Sequence, residues 1–302
     1  MCDEITEQEN DVWFQKNKIA RRDIAKAGVG VAALSLAPAC TTYASEGASD
    51  TTASATAATP SRTVTIKTTD GTADAFFVYP PSGKYPAVIM WPDIAGLRDA
   101  YKTMATRLAE SGYTVLVVNQ YYRSAPAPIM STMAEWRTEA GQAKLKPMLA
   151  ARTNQGVTRD GAAFVDWLDQ QKEVDTSKKI GSCGYCQGGA ATIRTAAIRS
   201  ARVGAVASFH GGGLATDEAD SPHLLFPTMR AAMLLAIAQN DDERDPEANS
   251  KLRAAADSAD RKAEIEVYPA QHGWCTVDAP VYDQTQAERA WARMLELYKT
   301  NL

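Results

Sequence analysis

The amino-acid sequence predicts an α/β protein: a doubly wound, mostly parallel sheet with helices on both faces. Short, wholly apolar runs such as Ala87–Trp91 and Tyr113–Val118 mark strands buried on both sides. Between such runs, apolar residues recur at i, i+3, i+4 and i+7, the period of a helix that covers a core. Strands alternating with helices require parallel pairing through right-handed crossovers.

Taken in order, Thr63–Thr68 and Ala75–Tyr79 read as strands of a hairpin around Asp70-Gly71, followed by the buried strand Ala87–Trp91. Tyr101, Met104, Ala105 and Leu108 share one helix face, and Gly112 supplies the stop before the second buried strand, Tyr113–Val118. Residues 124–156 break the pattern, with Met130, Met133, Trp136, Leu145 and Met148 scattered among polar residues. They read as helical excursions above the sheet, either a partial cap over a site or a surface insertion with no part in binding. Gly161, Phe164, Val165 and Leu168 resume the helical spacing. Lys179–Cys183, Val203–Phe209, Met233–Ile237 and Ile265–Tyr268 supply four more strands. A last helix carries Ala287, Ala290, Trp291, Met294, Leu295 and Tyr298 on one face.

Thirty-two basic against 36 acidic residues give a net charge of −4, and 45% of the residues are hydrophobic, the balance of a globular protein. With no basic block, nucleic acid is not the expected partner. No apolar run reaches the ~18 residues needed to span a bilayer. Five cysteines among 302 residues are too few for a disulfide scaffold.

Residues 1–39 are expected to be an export signal of the twin-arginine (Tat) type. The basic segment Lys16–Ile24 holds Arg21-Arg22, a weakly apolar stretch runs from Ala27 to Ala37, and Ala37-Pro38-Ala39 offers a small-x-small cut site. The other reading is an amphipathic N-terminal helix of the fold. Ala27–Ala37 has no polar face to support it. Cys40 is either the lipidated first residue of a tethered protein or an ordinary residue just past the cut. Residues 40–61 form a Ser/Thr/Ala-rich linker, and 62–302 the folded domain. The location expected is the periplasm or envelope of a bacterium.

Ile180–Gly189 runs from a strand into an Ala-rich helix and has the strand–turn–helix context of a nucleophile elbow, with Cys186 at the position of the usual serine. A nucleophile on so sharp a turn sits in strained backbone, and Gly184 and Gly188 remove side chains that would collide there. The N–H groups opening the following helix favour thiolate over thiol. In such folds the acid and then the histidine follow the nucleophile. His272, on the loop after the strand ending at Tyr268, is the expected base. After Met233–Ile237, Asp241 is favoured over Asp242 as the acid that orients it. His210-Gly211-Gly212-Gly213 resembles an oxyanion motif but lies downstream of the elbow, where that role does not fit. His210 is expected to be a satisfied structural histidine that could line the pocket, and His223 a surface residue. The backbone N–H groups of Ile94 and Gln187 are the candidate oxyanion hole.

These motifs resemble the dienelactone hydrolases (carboxymethylenebutenolidases), a cysteine branch of the α/β-hydrolase fold, from about Thr63 to the C-terminus. Gly184-Tyr185-Cys186-Gln187-Gly188-Gly189 is similar to the family's G-Y-C-x-G-G, and Asp241 and His272 fall at its triad positions. Pro92–Leu97 is similar to its Q/H-E-I-F-G segment, with Asp93 for glutamate, which implies that Asp93 contacts the resting thiol. Tyr121-Tyr122-Arg123 also matches. The resemblance implies a cofactor-free, metal-free hydrolase of small esters or lactones working through an acyl-thioester. Trp91, Tyr121, Arg123, Arg137, His210 and Trp274 are candidates for its substrate pocket. Thr276 stands where relatives acting on dienelactone carry a carboxylate-binding arginine, and Arg137 is the nearest candidate to replace it.

Two rival readings use the same residues. Cys183 and Cys186 form a C-x-x-C that would suit a thiol-redox protein, and His272 and Cys275 would complete a zinc set. A tethered binding protein on an inactive hydrolase scaffold is the third class.

Overall fold

The computed structural model describes residues 6, 8–13, 15 and 58–302. The twin-arginine segment, the apolar stretch after it, Cys40 and most of the linker lie outside the described residues. Residues 8–13 are helical.

Eight strands form one sheet: β1 (Ser61–Thr68), β2 (Gly71–Val78), β3 (Ala87–Trp91), β4 (Thr114–Val118), β5 (Ile180–Tyr185), β6 (Val203–Phe209), β7 (Ala232–Ala238) and β8 (Ala263–Tyr268). Their order is β1-β2-β4-β3-β5-β6-β7-β8. β1 and β2 pair antiparallel with Thr68 opposite Gly71, and β2 pairs antiparallel with β4. Every later pairing is parallel. The hairpin turn lies one residue earlier than the sequence suggests, with Gly71 already the first residue of β2.

The helices are α1 (Asp99–Glu110), α2 (Met133–Trp136), α3 (Glu139–Ala151), α4 (Asn154–Leu168), α5 (Gln187–Ile198), α6 (Gln239–Arg244), α7 (Pro246–Ser258) and α8 (Gln284–Asn301). The alternation within the central strands assigns them to two cores. Ile89, Trp91, Leu116 and Val118 pack with α4, α5 and α7, whereas Val88, Met90, Val115 and Val117 pack with α1 and α8. A strand with two buried faces needs no polar alternation, which is why β3 is apolar throughout and β4 is apolar after Thr114. Among the described residues no helix is long and apolar enough to cross a membrane.

The insert that breaks the pattern folds as α2 and α3, and α4 follows directly. Each starts on a threonine N-cap: Thr132, Thr138 and Thr153 accept from the backbone N–H groups of Glu135, Gly141 and Gly156. Ile129, Met130, Met133, Trp136 and Leu145 form a third core with Ile94, Ala95, Tyr121, Ala279 and Val281. Of the two readings of residues 124–156, this packing favours the cap.

Candidate active site

In the parallel part of the sheet the C-terminal strand ends stand in a row. Trp91 is opposite Gly184, Tyr185 opposite Phe209, and Ala238 opposite Tyr268. The loops leaving β3, β5, β6, β7 and β8 therefore open on one edge, the place where sheets of this kind bind ligands.

Cys186 is the single residue between β5 and α5, at φ 54° and ψ −123°, a left-handed φ that a β-carbon-bearing residue rarely adopts. Its neighbours explain how the turn can exist. A β-carbon on Gly184 would collide with the Gly188 carbonyl, and one on Gly188 with the Trp91 carbonyl. Both glycines let α5 start against the end of β3, so the Asp93-Ile94 loop lies beside the elbow. Cys186 N–H donates to the Phe209 carbonyl (3.0 Å) and to His210 Nδ1 (3.1 Å).

His272 arrives from the loop after β8 and Asp241 from α6, which follows β7 directly. His272 Nδ1 lies 2.6 Å from Asp241 Oδ2, and its ring is hydrogen-bonded on the other side to the Cys186 sulfur. Burial works against a charged ring, but Asp241 and Cys186 together push the His272 pKa up to about 10. Cys186, His272 and Asp241 thus form a continuous array, with Cys186 and His272 both buried.

Asp93 reaches the same pocket, wholly buried. Its Oδ1 accepts from Arg98 Nη1 (2.7 Å) and the Ala95 N–H (3.0 Å), and its Oδ2 from Arg98 Nη2 (3.0 Å). Burial, acting against the pull of Arg98, leaves the Asp93 carboxyl above its usual range, and the nearby Cys186 charge adds to that. Arg98 grips Asp278 as well, at 2.8 Å through Nε and 2.7 Å through Nη2.

Ile94, on the loop after β3, and Gln187, at the first position of α5, are linked through Tyr121. Among the described residues no acceptor takes the backbone N–H of either, so both donors are free for a ligand oxygen. Tyr121 joins their supports: its hydroxyl donates to the Ile94 carbonyl (2.8 Å) and accepts from Gln187 Nε2 (2.5 Å).

The cavity above Cys186 is small, with a volume of about 20 Å³. Its wall includes Asp93, Met133, His210, His272 and Val281, together with Arg137 and Asn10. Of the six pocket candidates, Arg137 and His210 line it. Arg137 is ion-paired with Asp11. The others do not line it: Tyr121 supports the loop behind it, Trp91 packs on Phe164 in the core, and Trp274 stacks on Tyr268 with its edge to His210. Arg123 is corrected outright. Its guanidinium is taken by Asp160 (2.7 and 2.9 Å) and Asp70 (3.1 and 2.5 Å), so it braces β1–β2 and α4 rather than a substrate.

The expectation of a satisfied structural His210 holds for one nitrogen only. Nδ1 accepts from Cys186, whereas Nε2 is buried and without a partner among the described residues. Burial and the His272 charge, 4.8 Å away between ring centroids, hold its pKa well below the usual histidine range. His223 bonds Ser221 Oγ, far from this chemistry. The Cys183 thiol lies in the core against the Tyr298 hydroxyl, and burial pushes its pKa up to about 12. Cys183, Cys186 and Cys275 are free thiols. Among the described residues no cluster of three or more His, Cys, Asp or Glu side chains is placed to hold a metal ion.

Sequence reading missed four contributors. Arg98 and Asp278 brace Asp93, Asn240 accepts the His272 N–H (2.8 Å), and Asn10 donates to the His272 carbonyl (2.9 Å). Arg98 and Asn240 stand close in sequence to Asp93 and Asp241, a usable signal. Nothing local marks Asp278 or Asn10.

Residues 73–302 match the model of the dienelactone hydrolase family. A Synechocystis sp. protein provisionally named carboxymethylenebutenolidase is 26% identical over 225 residues, 73% of this chain and 88% of that one. An Escherichia coli protein with the same provisional name is 26% identical over 221 residues, covering 72% and 78%. Among solved structures, a provisionally named dienelactone hydrolase from Klebsiella pneumoniae superposes with a TM-score of 0.69 at 22% identity, over 80% of this chain and 99% of that one. A dienelactone hydrolase-like promiscuous phosphotriesterase from metagenomic libraries gives 0.65 at 23%, over 81% and 99%. These structural likenesses identify the α/β-hydrolase fold.

Proposed function

Because the chain belongs to the dienelactone hydrolase family, we propose that this ester and lactone hydrolase works through Cys186 as its nucleophile and an acyl-thioester intermediate. The observation that carries the reading is the continuous array of Cys186, His272 and Asp241 at the floor of a closed cavity.

In the resting pair the proton sits on His272 and the sulfur is a thiolate, an arrangement that the pKa of about 10 favours at neutral pH. The thiolate attacks the carbonyl carbon, and the negative charge moves to the carbonyl oxygen. The Ile94 and Gln187 N–H groups receive that oxygen, each donor worth ~10²–10³ in rate. The tetrahedral intermediate collapses, the C–O bond breaks, and His272 gives its proton to the leaving alkoxide. With a lactone the leaving hydroxyl stays attached to the acyl group. His272, now neutral, takes a proton from water as its oxygen attacks the thioester. Collapse releases the acid and returns the thiolate–imidazolium pair. Asp241 holds the ring and stabilises its charge throughout.

The cavity is small, about 20 Å³, far below the ~300–1,000 Å³ of pockets that enclose drug-sized ligands. Met133, Ala279, Pro280 and Val281 make much of its wall apolar. Thr276 is buried, and Arg137 is already paired with Asp11. These features favour a small, weakly polar ester or lactone over a dicarboxylate. The twin-arginine segment supports export to the envelope, which fractionation of cells expressing the native gene tests.

The decisive variant is Cys186→Ala. It should abolish hydrolysis of p-nitrophenyl acetate with the melting temperature kept, and intact-mass analysis of acid-quenched wild type should show an acetylated Cys186. Retention of more than a few per cent of the wild-type rate would remove Cys186 from the mechanism.

A further inference from the structure

The helix at residues 8–13, ahead of the twin arginine in sequence, lies on the active site and contacts its surroundings at four positions, with Thr6 just before it adding a fifth. Asn10 is 4% exposed and lines the cavity that holds Cys186. Its Nδ2 donates to the His272 carbonyl at 2.9 Å, so the amide oxygen Oδ1 is an acceptor, and that atom is buried with no partner among the described residues. Glu9 Oε2 accepts from Asn240 Nδ2 (3.1 Å) and from Arg244 Nη2 (2.5 Å). Thr6 Oγ1 accepts from Arg244 Nη1 (2.8 Å), Asp11 pairs with Arg137, and Trp13 packs on the core that includes Ile94 and Met133.

Two of these contacts close a ring. Asn240 Oδ1 accepts the His272 N–H, and Asn10 Nδ2 donates to the His272 carbonyl. Glu9 then joins Asn240 back to Asn10 through the helix itself. The backbone of His272 is thereby held on both sides, and Asn240 is the residue next to Asp241. The short helix thus fixes both the loop that carries the base and α6, which carries the acid. The helix roofs the cavity closely, leaving about 20 Å³ with Asn10 in its wall.

Resting on the hydrolase reading of the site, we propose that this N-terminal helix is a working part of it. Asn10 and Glu9 are positioning residues for His272, and the unpartnered Asn10 oxygen is a hydrogen-bond acceptor in the substrate cavity. The intact chain and a chain cut after Ala39 then differ in the site itself, since the cut separates the helix from the domain.

The test uses the full chain with Cys186 intact. Asn10→Ala loses both the clamp and the acceptor; Asn10→Asp keeps an acceptor and loses the donor to His272. Trp13→Ala loosens the helix and leaves Asn10 in place. We expect Asn10→Ala to lower kcat/KM for p-nitrophenyl acetate by about tenfold, the worth of one hydrogen bond, and to shift the alkaline limb of its pH profile. Asn10→Asp should recover KM more than kcat, and Trp13→Ala should move in the direction of Asn10→Ala. Iodoacetamide alkylation of Cys186 reads access independently of turnover. Wild-type kinetics and pH profiles in both alanine variants overturn the proposal. So does a rise in both turnover and alkylation, the behaviour of a plug. Failure of the nucleophile reading shows separately, as hydrolysis retained by Cys186→Ala.

Discussion

Arg98 meets Asp93 through two parallel hydrogen bonds of 2.7 and 3.0 Å, with both side chains almost wholly buried. The same guanidinium holds Asp278 on its other edge, so one cation serves two carboxylates beside the nucleophile. Planar bidentate pairing of this kind is what arginine supplies and lysine cannot. Removing the cation strands a buried carboxylate, a loss of ~3–5 kcal/mol. Arg98→Met should therefore unfold at a markedly lower urea concentration at pH 8. Without its partner the Asp93 carboxyl titrates still higher, and a folded pKa above the unfolded value means that stability is regained as the group protonates. The gap to wild type should shrink on going from pH 8 to pH 5; an equal gap at both would mean that charge is not the cause.

The short contact between His272 and Asp241 gives a second expectation. Asp241 both orients the ring and sustains its charge. Asp241→Asn keeps the shape and removes the charge, and a loss on the order of 10³–10⁴ in kcat is the scale for such a change in a triad. Asp242 makes no comparable contact, so Asp242→Asn should stay near wild type. Equal losses in the two variants would take the acid's role away from Asp241.

The His272 pKa of about 10 sets an alkaline limb. Above it the ring no longer carries the proton that the leaving alcohol needs, so kcat/KM for an alkyl ester should fall as pH rises through about 10. A raised folded pKa also stabilises the fold fully below the unfolded histidine value, ~6.5, and that contribution is lost as pH rises toward 10. Cys186→Ala removes one of the two groups that raise the pKa. Its His272 should titrate lower, as NMR of the ring protons would show.

Most of the sheet was legible from local pattern. The runs at β3, β4 and β6 are read almost residue for residue, because a strand buried on both faces leaves no ambiguity of phase. Chain order and strand ends are what pointed in the sequence to Cys186, Asp241 and His272, and the structure places the three in contact. The pocket wall was not legible in the same way. Arg123 sits in a matching tripeptide, yet its partners Asp70 and Asp160 are distant in sequence and turn it away from the cavity. Asn10 is further off still, 262 residues from the histidine it holds. Such contacts are set by where loops finish, which no period or spacing encodes. The N-terminal segment shows the same limit, since composition points to an export signal but not to what the residues before it touch.

Tyr121 offers a test of how the proposed oxyanion donors, the Ile94 and Gln187 N–H groups, are kept in register. Its hydroxyl joins both loops, donating to the Ile94 carbonyl and accepting from the Gln187 side chain. The ring itself is core, packed beneath Gly96, whose φ of 78° lets the loop pass close over it. Tyr121→Phe keeps that packing and deletes only the bridge. It should cost about 1–2 kcal/mol of stability, the range for a buried hydrogen bond whose partners are left behind. The effect on catalysis follows from the geometry: Ile94 and Gln187 donate to the same oxygen only while the two loops hold their separation. Loss of the bridge should lower kcat about tenfold with KM little changed, because the oxyanion exists in the transition state and not in the bound ester. A rise in KM at constant kcat would instead mean that Tyr121 shapes substrate binding and that the donors are held by something else.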